Sequence, residues 1–259
     1  MWRGYRTALL WGVILICTSS FNNLRAQEVA VDHWLWAGQN HTDILASEKR
    51  VQNQCQKLEA QCRISNLRVL VRSWAGENPS FSTKHHTPRL LVKGSSVILS
   101  YRLEHLLNFK KIAAVIQRDI NIWGRANRPV IGVEIDFDSP SSGLKEYHQW
   151  LGKLQIHLTE KIPLSITGLP TWFEDNNKLA TDLARSVSEV SLMFYRQEQT
   201  PITKHLLVAI NKVNNLRYAF LCDDNRWEAL VRETKKNETF RMAIFLISRC
   251  VDVGKPSPS

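Results

Sequence analysis

Residues 130–138 alternate strictly: Ile131, Val133, Ile135 and Phe137 share one face, and Glu134, Asp136 and Asp138 share the other. A period of two predicts a strand. Pro140 ends it, Ser141 and Ser142 offer caps, and Leu144, Tyr147, Leu151, Leu154 and Leu158 then recur at helical spacing. Residues 162–167 read as the next strand. Strand, helix and strand make a parallel crossover, in which helices cover the apolar side. The three carboxylates must therefore face something other than the helices. The interior of a closed barrel is such a place, and it puts Asp138, the last inward residue, at the mouth.

The same patterning runs along the chain. Further strands are predicted at 31–37, 67–74, 96–103, 190–195, 218–222 and 242–247. A polar helix is predicted from Ile44 to Cys62. Others are marked by Phe109, Ile112, Ile116, Ile120 and Trp123; by Leu179, Leu183 and Val187; by Leu206, Ile210 and Val213; and by Trp227, Leu230 and Val231. Residues 76–86 are polar and carry Asn, Pro, Ser and His85-His86, so the second helix is expected to be short or missing. Eight strands with helices after most of them predict an α/β fold of the (β/α)8 TIM-type barrel class. An open doubly wound sheet gives the same alternation, but no strand runs into a G-x-G-x-x-G phosphate turn.

The chain ends set the domain limits. Residues 1–26 combine a basic start, an apolar run from Thr7 to Cys17 and a Leu24-Arg25-Ala26 site before Gln27, which predicts a cleaved export signal. The run is short for a spanning helix, which needs about 20 residues; an uncleaved anchor is the alternative. Residues 27–253 then form one barrel domain, and residues 254–259 are a Pro- and Ser-rich tail expected to be disordered. The expected location is periplasmic or secreted.

The formal charge is +10, and +7 once Arg3, Arg6 and Arg25 are removed. The Lys and Arg residues are scattered without a basic run or interleaved aromatics, so nucleic acid is not expected as a partner. Peripheral attachment to an envelope stays open, and the sequence is silent on oligomeric state. Cysteine and histidine spacings match no zinc pattern, and neither a metal nor a cofactor is expected. In an exported protein disulfides are permitted. Cys222 and Cys250 fall near the ends of adjacent strands. Within one helix, Cys55 and Cys62 would stand about 10 Å apart by helical rise. That exceeds disulfide reach, so their pairing requires the helix to end between them.

Two resemblances bear on function. Glu134, Asp136 and Asp138, followed by Pro140, occupy the places of the Asp-x-Asp-x-Glu row in the chitinase-like family 18 glycoside hydrolases, and Met193-Phe194-Tyr195 is similar to their Met-x-Tyr. More closely, Gly132 to Asp138, Leu144 to Tyr147 and Leu164 to Trp172 resemble a bacterial family, domain of unknown function number 3142, grouped with glycosidase-like barrels. This likeness implies a carbohydrate-related barrel in a bacterial envelope. In the hydrolase pattern Asp138 would be the general acid, but it is Asp rather than Glu, and position 134 is Glu rather than Asp.

Cleaving a glycosidic bond needs a proton donor at the leaving oxygen and a negative group under the developing oxocarbenium ion. Asp136 and Asp138, about 6.6 Å apart by strand rise, are expected to titrate as a coupled pair, with Asp138 the acid and Asp136 orienting it or the substrate. Arg72 and Arg102, near the ends of the second and third strands, are candidates to pair with Glu134 or Asp136. Trp172 offers a face for a sugar ring, or packs at the rim. Tyr195 offers a hydroxyl to substrate or to Asp136, and Trp36 and Trp74 are candidates to line the same cleft. Asp223 and Asp224 read as turn residues beside an Asn225 helix cap. The expected activity is binding, with hydrolysis, of a poly- or oligosaccharide; the alternative is a catalytically inactive carbohydrate- or partner-binding barrel.

Overall fold

A computed structural model of the chain describes residues 28–36, 41–58, 60–76, 78, 82–88, 96–158, 162–175, 177–197, 202–221, 224, 226–233 and 240–245. Residues 1–26, expected as an export signal, residues 254–259, and Cys222, Cys250, Asp223 and Asn225 lie outside the described residues.

Eight parallel strands close on themselves. They are β1 (Glu28–Leu35), β2 (Gln61–Trp74), β4 (Val97–Leu103), β5 (Val130–Phe137), β6 (Leu164–Gly168), β7 (Glu189–Met193), β8 (Leu216–Leu221) and β9 (Phe240–Phe245). Their order is β1-β9-β8-β7-β6-β5-β4-β2, and β2 pairs back onto β1. The short β3 (Thr83–Lys84) runs antiparallel along the upper end of β2. Around the barrel lie α1 (His41–Lys57), α2 (Phe109–Arg125), α3 (Leu144–His157), α4 (Thr171–Asp175), α5 (Asn177–Arg185), α6 (Lys204–Ile210) and α7 (Arg226–Glu233). Among the described residues no α-helix stands between β2 and β4, the place where the polar 76–86 stretch predicted a short or missing one.

The helices form where apolar spacing and caps coincide. Asn108 accepts from the amides of Lys110 and Lys111 at the start of α2, and Thr203 accepts from Leu206 at the start of α6. α2 buries Ile112, Ala113, Ile116, Ile120 and Trp123 against the sheet. α3 starts differently from expectation. No side chain caps it; a 3-10 turn, Ser141–Gly143, leads in, and the Ser141 hydroxyl donates to Asp175 instead. α1 ends at Lys57, and this lets Cys55 and Cys62 join in a disulfide across a Cα separation of 6.0 Å.

The apolar core is the layer between sheet and helices: Val133 and Ile135 of β5 meet Tyr147 and Leu151 of α3 there. Barrel interiors are usually filled with layers of branched aliphatic side chains. Here the lumen is largely polar. Asp32, Arg68, Ser100, Glu134, Asp136, Ser165, Thr167, Ser191 and Arg217 are all buried.

Candidate functional site

The inward residues of β5 divide between two clusters. The lower one is built on Arg68 of β2. Its guanidinium donates to Asp32 at 2.9 Å, to Ser191 at 3.1 Å, and to the carboxylates of Glu134 and Glu189. Arg217 of β8 adds two bonds to Glu189, at 2.8 and 3.1 Å, and a contact with Asp32 at 3.3 Å. Two guanidiniums thus face three carboxylates from β1, β5 and β7. Burial would raise the Glu189 carboxyl, but Arg68 and Arg217 together hold it down at about 2. Glu134 goes the other way: burial raises it, and neighbouring Asp136 adds to the push against the pull of Arg68. Its Oε1 has no hydrogen-bond partner. The two guanidiniums and three carboxylates are packed together out of solvent, which fits a sealed structural plug.

The upper cluster stands at the mouth, the carboxyl end of the strands. Arg102 of β4 bridges two carboxylates, Nη1 to Asp136 at 3.0 Å and Nη2 to Asp138 at 2.5 Å. Thr167 of β6 donates to the same Asp136 oxygen at 2.9 Å. Asp136 is buried, whereas the side chains of Asp138 and Arg102 are 21% and 17% exposed. Burial opposes the charge on Arg102, but Asp136 and Asp138 outweigh it and keep the guanidinium protonated. The two aspartates therefore share a fixed counter-cation rather than facing one another as bare charges.

On the far side of the lumen, Trp34, Ala219, Trp36 and Tyr195 make an aromatic wall. Trp36 meets Trp34 edge to face at 6.2 Å between centroids, and both Trp36 and Tyr195 are partly exposed. Tyr195 sits in the 3-10 turn after β7, and its hydroxyl points to the Met193 sulfur at 3.0 Å. Asp136 takes Arg102 and Thr167 instead.

Three predicted site residues lie elsewhere. Arg72 pairs with Asp119 of α2 at 2.5 and 2.8 Å, on the helix side of β2, and not with Glu134 or Asp136. Trp74 is likewise buried in the helix-layer core, beside Tyr101. The reason is a register shift between Leu70 and Arg72 in the β2–β4 pairing. A bulge of one residue reverses which face each later side chain takes. Trp172, in the first turn of α4, is 1% exposed and donates its indole N–H to the Ser139 carbonyl at 2.8 Å. It packs at the rim and fastens the loop that follows Asp138, with no ring face open to the mouth. Asp224 accepts from the Arg226 amide at 2.9 Å, as a turn residue opening α7.

Sequence reasoning missed Arg68, Asp32, Glu189 and Arg217. The signal was present: each is a charge in or directly before a predicted strand, two acidic and two basic, and their signs cancel. What one strand cannot reveal is which charge lies opposite which.

Comparisons add the following. No curated protein matches the chain. Among solved structures, the xylanase-A-amylase inhibitor protein XAIP-III aligns with a TM-score of 0.49 at 10% identity, over 84% of this chain and 92% of that one. The dihydrodipicolinate synthase of Rhodopseudomonas palustris aligns with a TM-score of 0.37 at 13% identity, over 84% of this chain and 69% of that one. Residues 93–198, which span β4 to β7 and contain Arg102, Glu134, Asp136 and Asp138, match the family model described as Domain of unknown function (DUF3142).

Proposed function

We propose that the mouth of the barrel is a saccharide-binding site, on a protein exported by the signal in residues 1–26. The observation that carries this reading is the Asp136–Arg102–Asp138 bridge, partly open to solvent, across the lumen from Trp36 and Tyr195. Carboxylates and a guanidinium held in fixed positions give strong, directional hydrogen bonds to vicinal hydroxyls. Partly exposed aromatic faces take the apolar side of a sugar ring. Glu134 takes no part in this role, since it is held inside the closed plug below the mouth.

A second reading adds hydrolysis with Asp138 as general acid, favoured by its place one residue beyond β5 and its accessible carboxyl. For that, substrate must displace Arg102, because its guanidinium occupies the Asp138 oxygen that would face the leaving group. The test screens the domain beginning at Gln27 against bacterial exopolysaccharides and cell-wall glycans, by calorimetry for binding and by reducing ends for turnover. Binding lost in Asp136→Asn and Arg102→Met supports the site. Turnover lost in Asp138→Asn with binding kept supports the hydrolase, and binding without turnover in the native protein supports the inactive barrel. A panel with no binding overturns both, and fractionation placing the chain in the cytoplasm overturns export.

A further inference from the structure

We propose that Ser73 and His85 form a nucleophile–base pair at the barrel mouth that hydrolyses a carboxylic ester through an acyl-serine. This inference rests on the geometry at the end of β2 and does not depend on the saccharide reading.

The bulge that turns Arg72 outward gives Ser73 the lumen-facing parity, because its register partner on β4 is Arg102, the residue that bridges the mouth carboxylates. Beyond Val69, β2 has no register with β1, and β3 takes that edge, with Thr83 opposite Ser73. The chain then continues down β2: the His85 amide donates to Val71 at 3.0 Å and the His86 amide to Leu70 at 3.2 Å. The His86 ring adds a contact from Nδ1 to the Leu70 carbonyl at 2.9 Å. These bonds fasten the backbone on both sides of His85. Its Nε2 stands 2.8 Å from the Ser73 hydroxyl oxygen, and both side chains are partly exposed.

That is the separation at which a base takes a hydroxyl proton. Burial, with the charge of His86 as a lesser cause, lowers the His85 pKa, which favours the neutral ring. Arg102 stands in register beside Ser73, with its guanidinium held by Asp136 and Asp138.

In the first step the Ser73 oxygen bonds to the ester carbonyl carbon, its proton passes to His85 Nε2, and the carbonyl electron pair moves onto oxygen. Collapse re-forms the carbonyl and breaks the ester C–O bond, and the alcohol leaves with the proton from His85. Water then adds to the acyl-serine with its proton taken by His85. Release of the carboxylic acid restores the serine hydroxyl.

The test treats the folded native chain with a fluorophosphonate probe and locates the adduct by peptide mass, alongside hydrolysis of p-nitrophenyl acetate. The expected results are an adduct on Ser73, loss of both signals in Ser73→Ala, and a rate about 100-fold lower or less in His85→Gln. Native folded protein with no adduct on Ser73 overturns the proposal and requires no variant to fold. So does ester hydrolysis that persists in a folded Ser73→Ala protein.

Discussion

Arg68 on β2 crosses the lumen to the carboxylate of Glu134 on β5. The first inward carboxylate of the acidic row is thereby consumed by structure, and only the outer two remain for the mouth. This divides one strand face into a sealed floor and an accessible rim.

Removing Arg68 should be costly. In Arg68→Ala the carboxylates of Asp32, Glu134 and Glu189 lose a shared counter-charge inside a closed lumen. Breaking a buried pair by deleting one partner costs about 3–5 kcal/mol. Urea denaturation should show a loss of at least that size, against a much smaller change in Arg63→Ala, whose partner Glu28 is solvent-exposed. Equal losses in the two variants would refute the plug.

Acid should destabilise the protein from below pH 6.5. His33 is fully buried on the helix face of β1, neither ring nitrogen has a hydrogen-bond partner, and burial outweighs the pull of Asp32 to lower its pKa to about 4. Between about 6.5 and 4 the unfolded chain binds this proton and the native chain does not, so stability falls with pH, by about 3 kcal/mol over the window. The Glu189 contribution is lost lower, as pH falls towards about 2. Glu134, raised by burial, has the opposite sign: its contribution is lost as pH rises through its folded value. Denaturation at pH 7 and pH 4 should show His33→Leu losing less stability on acidification than the native protein; an unchanged drop would clear His33 of the effect.

Gly168 closes β6 directly under Trp172. A Cβ there would meet the Trp172 ring at 2.8 Å and Val190 at 2.9 Å. Neither neighbour can swing clear, because Trp172 is anchored to Ser139 and Val190 lies within β7. Gly168→Ala should cost about 1–3 kcal/mol by overpacking. Since Trp172 fastens the loop after Asp138, a shift in tryptophan emission should accompany the loss. A Gly168→Ala protein as stable as the native one would show that the rim yields.

Disrupting the Cys55–Cys62 bridge should be milder. The bond closes a loop with a sequence separation of 7. Loop-closure entropy for so short a ring gives about 2.5 kcal/mol. Cys62→Ser should lower the unfolding midpoint by that measure, and an unchanged midpoint would show that the bridge adds no stability. An additional effect of reductant would point to another bridge.

Much of the architecture was legible from periodicity. The alternation of 130–138 is β5 with Val133 and Ile135 against the helices and Glu134 and Asp136 inside. The spacing of Ile112, Ile116, Ile120 and Trp123 is the buried stripe of α2. Parity failed where one residue was inserted: the bulge after Leu70 moved Arg72 and Trp74 to the helix side and left Ser73 inside. A bulge has no residue signature in this stretch, so period-two counting runs through it unaware. Trp172 fell on the wrong side for a different reason, since a residue in the turn after a strand takes its direction from the helix that follows.

The order of strands, the inward acidic row and its outermost member at the rim were fixed by local pattern, because alternation and crossover handedness depend on neighbours in the chain. Which cation meets which carboxylate in the floor was decided only in three dimensions. Arg68 of β2 reaches Glu134 of β5 and Glu189 of β7 across the lumen, a meeting that only ring closure sets up, whereas Arg102, from the strand paired directly with β5, was already a candidate partner of Asp136 and leaves Asp138 at the open end.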